Sequence, residues 1–404
     1  MVHINLQRSA VAMVFVLCTA AHAQHVQSLT LLPGATDAYI WDISQDGQIL
    51  AGECFGSAPN SSGPTIWTAP DYQPTRVNVN GVSSFQGPVR LWVVSPSGKG
   101  LAGNDYAGAV FVWWDGANKP PQQFGSWFLP DLGSMFAEPV LLSEDNSVVV
   151  VQASPTHPFR VLRRDGSITV YPYPDDAIYN FPVTCSANGS RIVANVEFAF
   201  SGSAPVVWRN AVPERMPRPA GLDGAWADWI SPDGYTLRGG GYKIDENGKA
   251  ADFTGLQWNF SYPDWTVEPA ELKLQGRRFR STESALRDIG FLPGTDSFII
   301  RDRFHGTRDL SVLLPSLFPS IAGNSPASYL FPDGRRVLGP YNTPWIGTLP
   351  DLTDLNEDRV RDNADVSIFL DALSLGTSNA DWNQDGQLTF EDVDAFVDDF
   401  EAGR

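Results

Sequence analysis

A four-residue turn signature recurs along this chain at nearly constant spacing. Ser44-Gln45-Asp46-Gly47, Ser95-Pro96-Ser97-Gly98, Ser143-Glu144-Asp145-Asn146, Ser186-Ala187-Asn188-Gly189, Ser231-Pro232-Asp233-Gly234 and Phe331-Pro332-Asp333-Gly334 have third residues 51, 48, 43, 45 and 100 positions apart. The last interval spans two periods and leaves room for one degenerate copy near residues 280 to 290. Short polar side chains followed by a residue that tolerates positive φ suit a tight hairpin. Self-similarity at a period of about 20 to 50 residues means a row of small units, each burying its apolar face against a neighbour.

The residues after each turn fit strands. Ile49-Leu-Ala-Gly52, Leu101-Ala-Gly-Asn104, Val148 to Gln152 and Arg191 to Val196 follow four of the turns, and Trp-bearing strands follow those: Trp67, Trp113 and Trp208 in Pro-Thr-Ile-Trp-Thr, Val-Phe-Val-Trp-Trp and Pro-Val-Val-Trp-Arg. Long helical periodicity is scarce in this region, while Gly and Pro punctuate it throughout. The expected fold class is mainly β, a β-propeller of five to seven blades, because radial stacking protects sheet edges. A repeated β-sandwich or two β domains is the alternative. The recurring Trp67, Trp113 and Trp208 read as packing residues, whereas Trp226, Trp229, Trp258, Trp265 and Trp345 are open to packing or ligand contact.

The last fifty residues change character. Asp354-Leu-Asn356-Glu-Asp358 is repeated 27 residues later as Asp381-Trp-Asn383-Gln-Asp385-Gly386. Counted as twelve-residue loops, the oxygen donors at positions 1, 3, 5, 7, 9 and 12 are Asp354, Asn356, Asp358, Val360, Asp362 and Asp365, then Asp381, Asn383, Asp385, Gln387, Thr389 and Asp392, with Val360 and Gln387 giving main-chain carbonyls. Such oxygen-only sets suit calcium. The second loop carries Gly386 at the sharp sixth position, where the first has Arg359. Each loop leads into an amphipathic helix, with Val366, Phe369, Leu370 and Leu373 on one and Val393, Phe396, Val397 and Phe400 on the other.

These paired loops resemble a type I dockerin, a small α-helical bacterial calcium-binding module that docks to a cohesin domain. The likeness covers roughly residues 351 to 403 and includes Asp at the closing position of each loop. It implies two calcium sites and a cohesin-like protein partner. Arg359 departs from the pattern, as do Asn363-Ala364 and Phe390-Glu391, which stand where cellulosomal dockerins carry a repeated Ser-Thr pair. The repeats of residues 30 to 350 are similar to bacterial extracellular HAF repeats, in their turns, the following V-x-G-like strands and downstream Trp strands. Leu32-Pro33-Gly34, Asp131-Leu132-Gly133 and Leu292-Pro293-Gly294 add to that likeness, which implies a propeller-like extracellular domain.

The chain ends and charge fit export. Arg8, the apolar run from Ser9 to Ala20 and Ala21-His22-Ala23 read as a signal peptide cleaved after Ala23. The expected organisation is thus a signal over 1–23, the repeat domain over 24–350 and the calcium module over 351–404. The formal charge is −18, and residues 351–404 hold 15 acidic and 3 basic residues. An acidic chain excludes nucleic acid as a partner, and no later apolar run reaches membrane-spanning length. Cys54 and Cys185 suit either a disulfide or two thiols. His157 and His305 are scattered and support neither zinc nor a Cys-His nucleophile.

The leading functional reading is a secreted or surface-associated, noncatalytic binding and assembly protein. Its body recognises a cell-surface glycan or protein, and its tail docks it through calcium. The expected location is extracellular or on the bacterial cell surface, with the periplasm as the alternative. A polysaccharide-degrading glycoside hydrolase or lyase is the second reading and needs converging carboxylates, drawn from residues such as Glu53, Asp105, Asp223, Asp228, Asp264 and Glu268. A structural calcium-binding surface protein is the third.

Overall fold

The computed structural model describes residues 26–402 except 59, 80–88, 106–107, 127–137, 153, 200, 247–249, 262–263, 271–286, 292–297, 303–305, 310–328, 332–334, 340–343, 350, 357–359 and 383–386. His25–Leu349 and Pro350–Arg404 belong to separate compact units. Among the described residues no helix is long and apolar enough to cross a membrane. The leader expected over 1–23 lies outside them.

Among the described residues the larger unit is built from antiparallel strands in seven sheets. It begins with β1 (Val26–Ser28). The first sheet runs β2 (Asp37–Ile43), β3 (Ile49–Phe55), β4 (Gly63–Thr68) and β5 (Gln73–Arg76), and the second β6 (Arg90–Val94), β7 (Leu101–Asn104), β8 (Ala109–Trp113) and β9 (Gln122–Ser126). The third is β10 (Glu138–Leu142), β11 (Val148–Gln152), β12 (Phe159–Arg163) and β13 (Ile168–Tyr171). The fourth is β14 (Ala177–Cys185), β15 (Arg191–Phe198), β16 (Gly202–Arg209) and β17 (Val212–Arg215). The fifth holds β18 (Gly224–Ile230), β19 (Thr236–Ile244), β20 (Ala250–Ser261) and β21 (Asp264–Ala270), and the sixth β22 (Arg287–Phe291), β23 (Phe298–Asp302) and β24 (Gly306–Asp309). The seventh joins β25 (Tyr329–Leu330), β26 (Arg336–Gly339) and β27 (Trp345–Thr348) to β1 in the order β1-β27-β26-β25.

The recurrent turn joins the first and second strands of its sheet. In the first copy Ser44 Oγ donates to Asp46 Oδ1 at 2.6 Å, Gln48 N–H to the same oxygen at 3.0 Å and Ile49 N–H to Ser44 Oγ at 2.9 Å. The fifth repeats this bonding at 2.6, 2.9 and 2.9 Å through Ser231, Asp233, Tyr235 and Thr236. Ser143 with Asp145 and Ser186 with Asn188 do the same. Phe331 N–H donates to Arg336 O at 2.8 Å, as Ser44 N–H does to Ile49 O at 2.9 Å, so the sixth copy keeps the closing pair although residues 332–334 lie outside the description. The first hairpin of the sixth sheet connects β22 to β23 over 292–297, beyond the 280–290 expected for the degenerate copy; that connection, like Asp131-Leu132-Gly133, lies outside the described residues.

The fourth turn residue has two constraints. Gly47, Gly98, Asn146, Gly189 and Gly234 have φ between 57° and 81°, and a Cβ on Gly189 would stand 2.6 Å from Val148 of the preceding sheet. Neighbouring turns touch through backbone bonds as well: Gln45 N–H donates to Pro96 O at 2.9 Å, Asp145 N–H to Ala187 O at 3.0 Å and Ala187 N–H to Pro232 O at 2.9 Å.

Each of the first five sheets also has a register shift in its opening strand, at Trp41, Trp92, Val140, Val183 and Asp228. Such bulges bend a strand and increase its twist. Opposite three of them stand Gly52, Gly103 and Gly239, where a Cβ would lie 1.9, 2.1 and 2.0 Å from the carbonyl oxygens of Tyr39, Arg90 and Trp226. That close approach is the physical reason for the Gly of the V-x-G-like strands.

Third-strand tryptophans fasten four of the sheets to the segment that enters each. Trp67, Trp113, Trp208 and Trp258 are fully buried, and their indole N–H groups donate to the carbonyls of Thr30, Asn78, Pro172 and Pro217 at 2.7, 2.6, 3.1 and 2.7 Å. The packing role expected of the first three holds, and Trp258 shares it. Trp226, Trp265 and Trp345 are buried too, while Trp229 is half-buried.

The opening strands of successive sheets pack beside one another, β2 by β6, β6 by β10, β10 by β14 and β14 by β18. Strand β1 pairs antiparallel with β27, so the first described strand completes the last sheet. One apolar cluster then joins the seventh sheet to the first through Phe331, Leu338, Ile346, Ile40, Leu50 and Trp67. This is a β-propeller architecture, with early and late residues sharing a sheet. No disulfide joins Cys54 and Cys185.

Candidate metal-binding module

The smaller unit contains α1 (Asn363–Ser374), a short 3-10 turn (Ser378–Ala380) and α2 (Phe390–Ala402). Both helices begin with the same hydrogen-bonded device. Asp362 is the N-cap of α1: its Oδ1 accepts Ala364 N–H at 2.7 Å, while Asp365 Oδ2 accepts Asp362 N–H at 2.9 Å. At α2, Thr389 Oγ1 accepts Glu391 N–H at 3.2 Å and Asp392 Oδ2 accepts Thr389 N–H at 2.9 Å. Reciprocal bonding of this kind satisfies donors that a helix start leaves orphaned. Loop positions 9 and 12 are therefore also helix caps.

Asp365 does more than cap. Its Oδ1 also accepts the N–H groups of Leu355 and Asn356 at 2.7 and 3.2 Å, which draws the start of the first loop to its end. Burial raises the Asp365 carboxyl above the ordinary aspartate value, against the lowering effect of these backbone donors. Asp354, Asp381 and Asp392 are buried as well, at 3%, 8% and 0% exposure. Each twelve-residue loop thus begins and ends on a buried carboxylate. Removing a carboxylate from water is costly unless hydrogen bonds, an opposite charge or a cation offset it.

The other expected ligands divide into two groups. Asn356 and Gln387 are exposed, and Val360, Asp362 and Thr389 are partly buried. Asp358, Asn383 and Asp385 lie outside the described residues, with Arg359 and Gly386. Among the described residues no group of three or more His, Cys, Asp or Glu side chains is placed to hold a metal. The oxygen-only donor chemistry and the buried loop ends fit a hard cation such as calcium.

The helices meet through aromatic rings. Phe369 and Phe396, each four residues beyond its loop's closing Asp, stack with centroids 4.1 Å apart. Trp382 stands edge-on to both, at 5.8 and 4.9 Å, and its indole N–H donates to Asp399 Oδ2 at 2.9 Å. Arg361 ties the module's beginning to its end, pairing with Asp351 at 3.2 Å and donating to Phe400 O. A cation suits the carbonyl-rich end of α2. Sequence periodicity indicated the faces that carry Phe369 and Phe396, although Leu370, expected on the first of them, is 45% exposed; it carried no signal for the Arg361 clasp, which joins residues 39 positions apart.

The carboxylates considered for catalysis have mostly local roles. Asp105 is buried and accepts Ala109 N–H at 2.9 Å across the β7–β8 connection, and Asp223 accepts Ile244 N–H at 2.7 Å. Glu268 bonds Asn259 at 2.8 Å, and Asp264 is exposed. Asp228 is the bulged residue of β18. Glu53 is 2% exposed, near the Trp41 indole N–H at 3.3 Å and Arg90 at 4.0 Å.

No family model and no curated protein matches the chain. Among solved structures, the Cps50 (Swd1) β-propeller domain of Myceliophteria thermophila is 11% identical, covering 80% of this chain and 100% of that one, with a TM-score of 0.47. Virginiamycin B lyase from Staphylococcus aureus is 12% identical, covering 80% and 98%, at 0.44. A TolB from Agrobacterium tumefaciens is 15% identical, covering 57% and 79%, at 0.36. Likenesses of this strength carry nothing about activity.

Proposed function

We propose that this chain is an exported, noncatalytic binding and assembly protein. A seven-bladed propeller recognises an extracellular glycan or protein, and a calcium-ordered, dockerin-like tail attaches it to a cohesin-like partner. What supports the reading most is the duplicated tail, with a buried carboxylate at both ends of each twelve-residue loop. Calcium would be held by Asp354, Asn356, Asp358, Val360, Asp362 and Asp365 in the first loop. In the second it would be held by Asp381, Asn383, Asp385, Gln387, Thr389 and Asp392. Bound there, it would neutralise the acids and couple metal binding to folding.

Calorimetry of the mature chain in calcium and in chelator tests the metal half of the proposal. Calcium is expected to stabilise a transition, and Asp381→Ala and Asp392→Ala to weaken that stabilisation strongly; identical traces in both buffers sink it. Retention on immobilised cohesin domains in calcium and release by chelator tests the docking half. Absence of retention on every cohesin tried removes that partner.

A further inference from the structure

Within the propeller, aromatic residues concentrate on the opening strands of two adjacent sheets. Trp41 and Trp92 occupy matching bulges, and their rings lie 4.8 Å apart. Each indole N–H is committed inward, Trp41 to Glu53 Oε1 at 3.3 Å and Trp92 to Asn104 Oδ1 at 2.6 Å. Glu53 and Asn104 hold matching places too, paired across their ladders with Tyr39 and Arg90. The indoles are fixed in orientation, and both remain only half-buried. The same bulge carries Val140, Val183 and Asp228 in the next three sheets, so the pair is confined to one sector.

Two side chains at the other matching position complete the patch. The Tyr39 ring lies 5.8 Å from Trp41, and the Arg90 guanidinium stands 5.9 Å from the Trp92 ring centre. Arg90 faces the buried carboxylate of Glu53 at 4.0 Å, which offsets its charge. The patch thus combines two half-buried indoles, tilted 43° to one another, with a tyrosine ring and a guanidinium whose charge a carboxylate offsets. Apolar C–H faces ringed by hydroxyls are the complementary chemistry.

We propose that Trp41 and Trp92, flanked by Tyr39 and Arg90, bind neutral pyranose units of an extracellular glycan. The proposal rests on the body's being a binding domain and gives that binding its place and ligand class. Titration of the mature chain with cellohexaose, xylohexaose, mannohexaose and chitohexaose tests it. At least one binds, and Trp41→Ala and Trp92→Ala each weaken binding about tenfold or more, while Val140→Ala leaves it unchanged. Hydroxyl-radical footprinting of the wild-type chain needs no variant to fold: the bound sugar protects Trp41 and Trp92. Failure of all four sugars to bind, or binding without that protection, overturns the site. A protein ligand captured equally by wild type and a folded Trp41→Ala variant overturns the site yet preserves the body as a binding domain.

Discussion

The rings of Phe369 and Phe396 stack face to face, their planes 2° from parallel and their centroids 4.1 Å apart. Both are fully buried, and each lies four residues beyond the Asp that closes its loop. The duplicated halves of the tail are therefore joined through equivalent residues, and each loop's closing Asp stands one helical turn from that joint.

Removing either ring should unfold the tail selectively. Phe369→Ala and Phe396→Ala are each expected to cost about 3–5 kcal/mol, read in calorimetry as loss of the tail transition while the propeller transition remains. Unchanged unfolding of the tail would contradict the stacked joint as its core.

Calcium should distinguish loop residues from surface acids. Asp381→Ala should weaken calcium-dependent stabilisation strongly, whereas Glu401→Ala should leave it intact, since Glu401 is exposed on α2. Calcium titration followed by circular dichroism measures both.

Trp208→Phe should destabilise the propeller by about 1–3 kcal/mol, because the Pro172 carbonyl loses its indole donor. Trp113→Phe removes the equivalent bond to Asn78 O and should behave alike. Chemical denaturation measures the two losses.

Gly103→Ala is expected to cost more than an ordinary surface exchange, since its new Cβ meets Arg90 O at 2.1 Å. Val151→Ala, at the matching register position opposite Pro139, should show only the loss of a buried side chain, about 2 kcal/mol or more for two methyl groups and the cavity they leave. A thermal melt of Gly103→Ala equal to that of the wild type would contradict the close approach at the bulge.

Glu53 supplies a pH-dependent prediction. Burial pushes its carboxyl above the ordinary glutamate value, more than Arg90 and Trp41 lower it. The folded state then holds the proton more tightly than the unfolded one, so stability falls as pH rises from the ordinary value through the raised one. Glu53→Gln should consequently raise the melting temperature at neutral pH, with the gain vanishing at acid pH. A gain that grows on acidification would reverse the sign and refute the assignment.

Much of the propeller could be read before folding because its determinants are local. Ser44, Asp46 and Gly47 bond within one turn, so their spacing exposes a hairpin wherever it recurs. Trp67, Trp113 and Trp208 recur with that turn, whereas the sequence leaves Trp258 open between packing and ligand contact; the tail's two helices carry a separate helical periodicity. The V-x-G-like strand was visible as a pattern, but its cause was not: Gly52 and Gly103 are required by carbonyls on another strand. Trp41 and Trp92 likewise carried no local mark. They stand 51 positions apart in the chain, and only the packing of β2 beside β6 makes them neighbours.

Sequence by itself determined the repeat, its turn chemistry, the packing tryptophans and the duplicated acidic loops, because each depends on residues a few positions apart. Tertiary structure decided which strand completes the ring, which aromatic rings meet and which carboxylates are buried. Those outcomes come from contacts between distant segments: three residues at Val26–Ser28 carry little signal until β27, over 300 positions later, presents an edge for them to pair with.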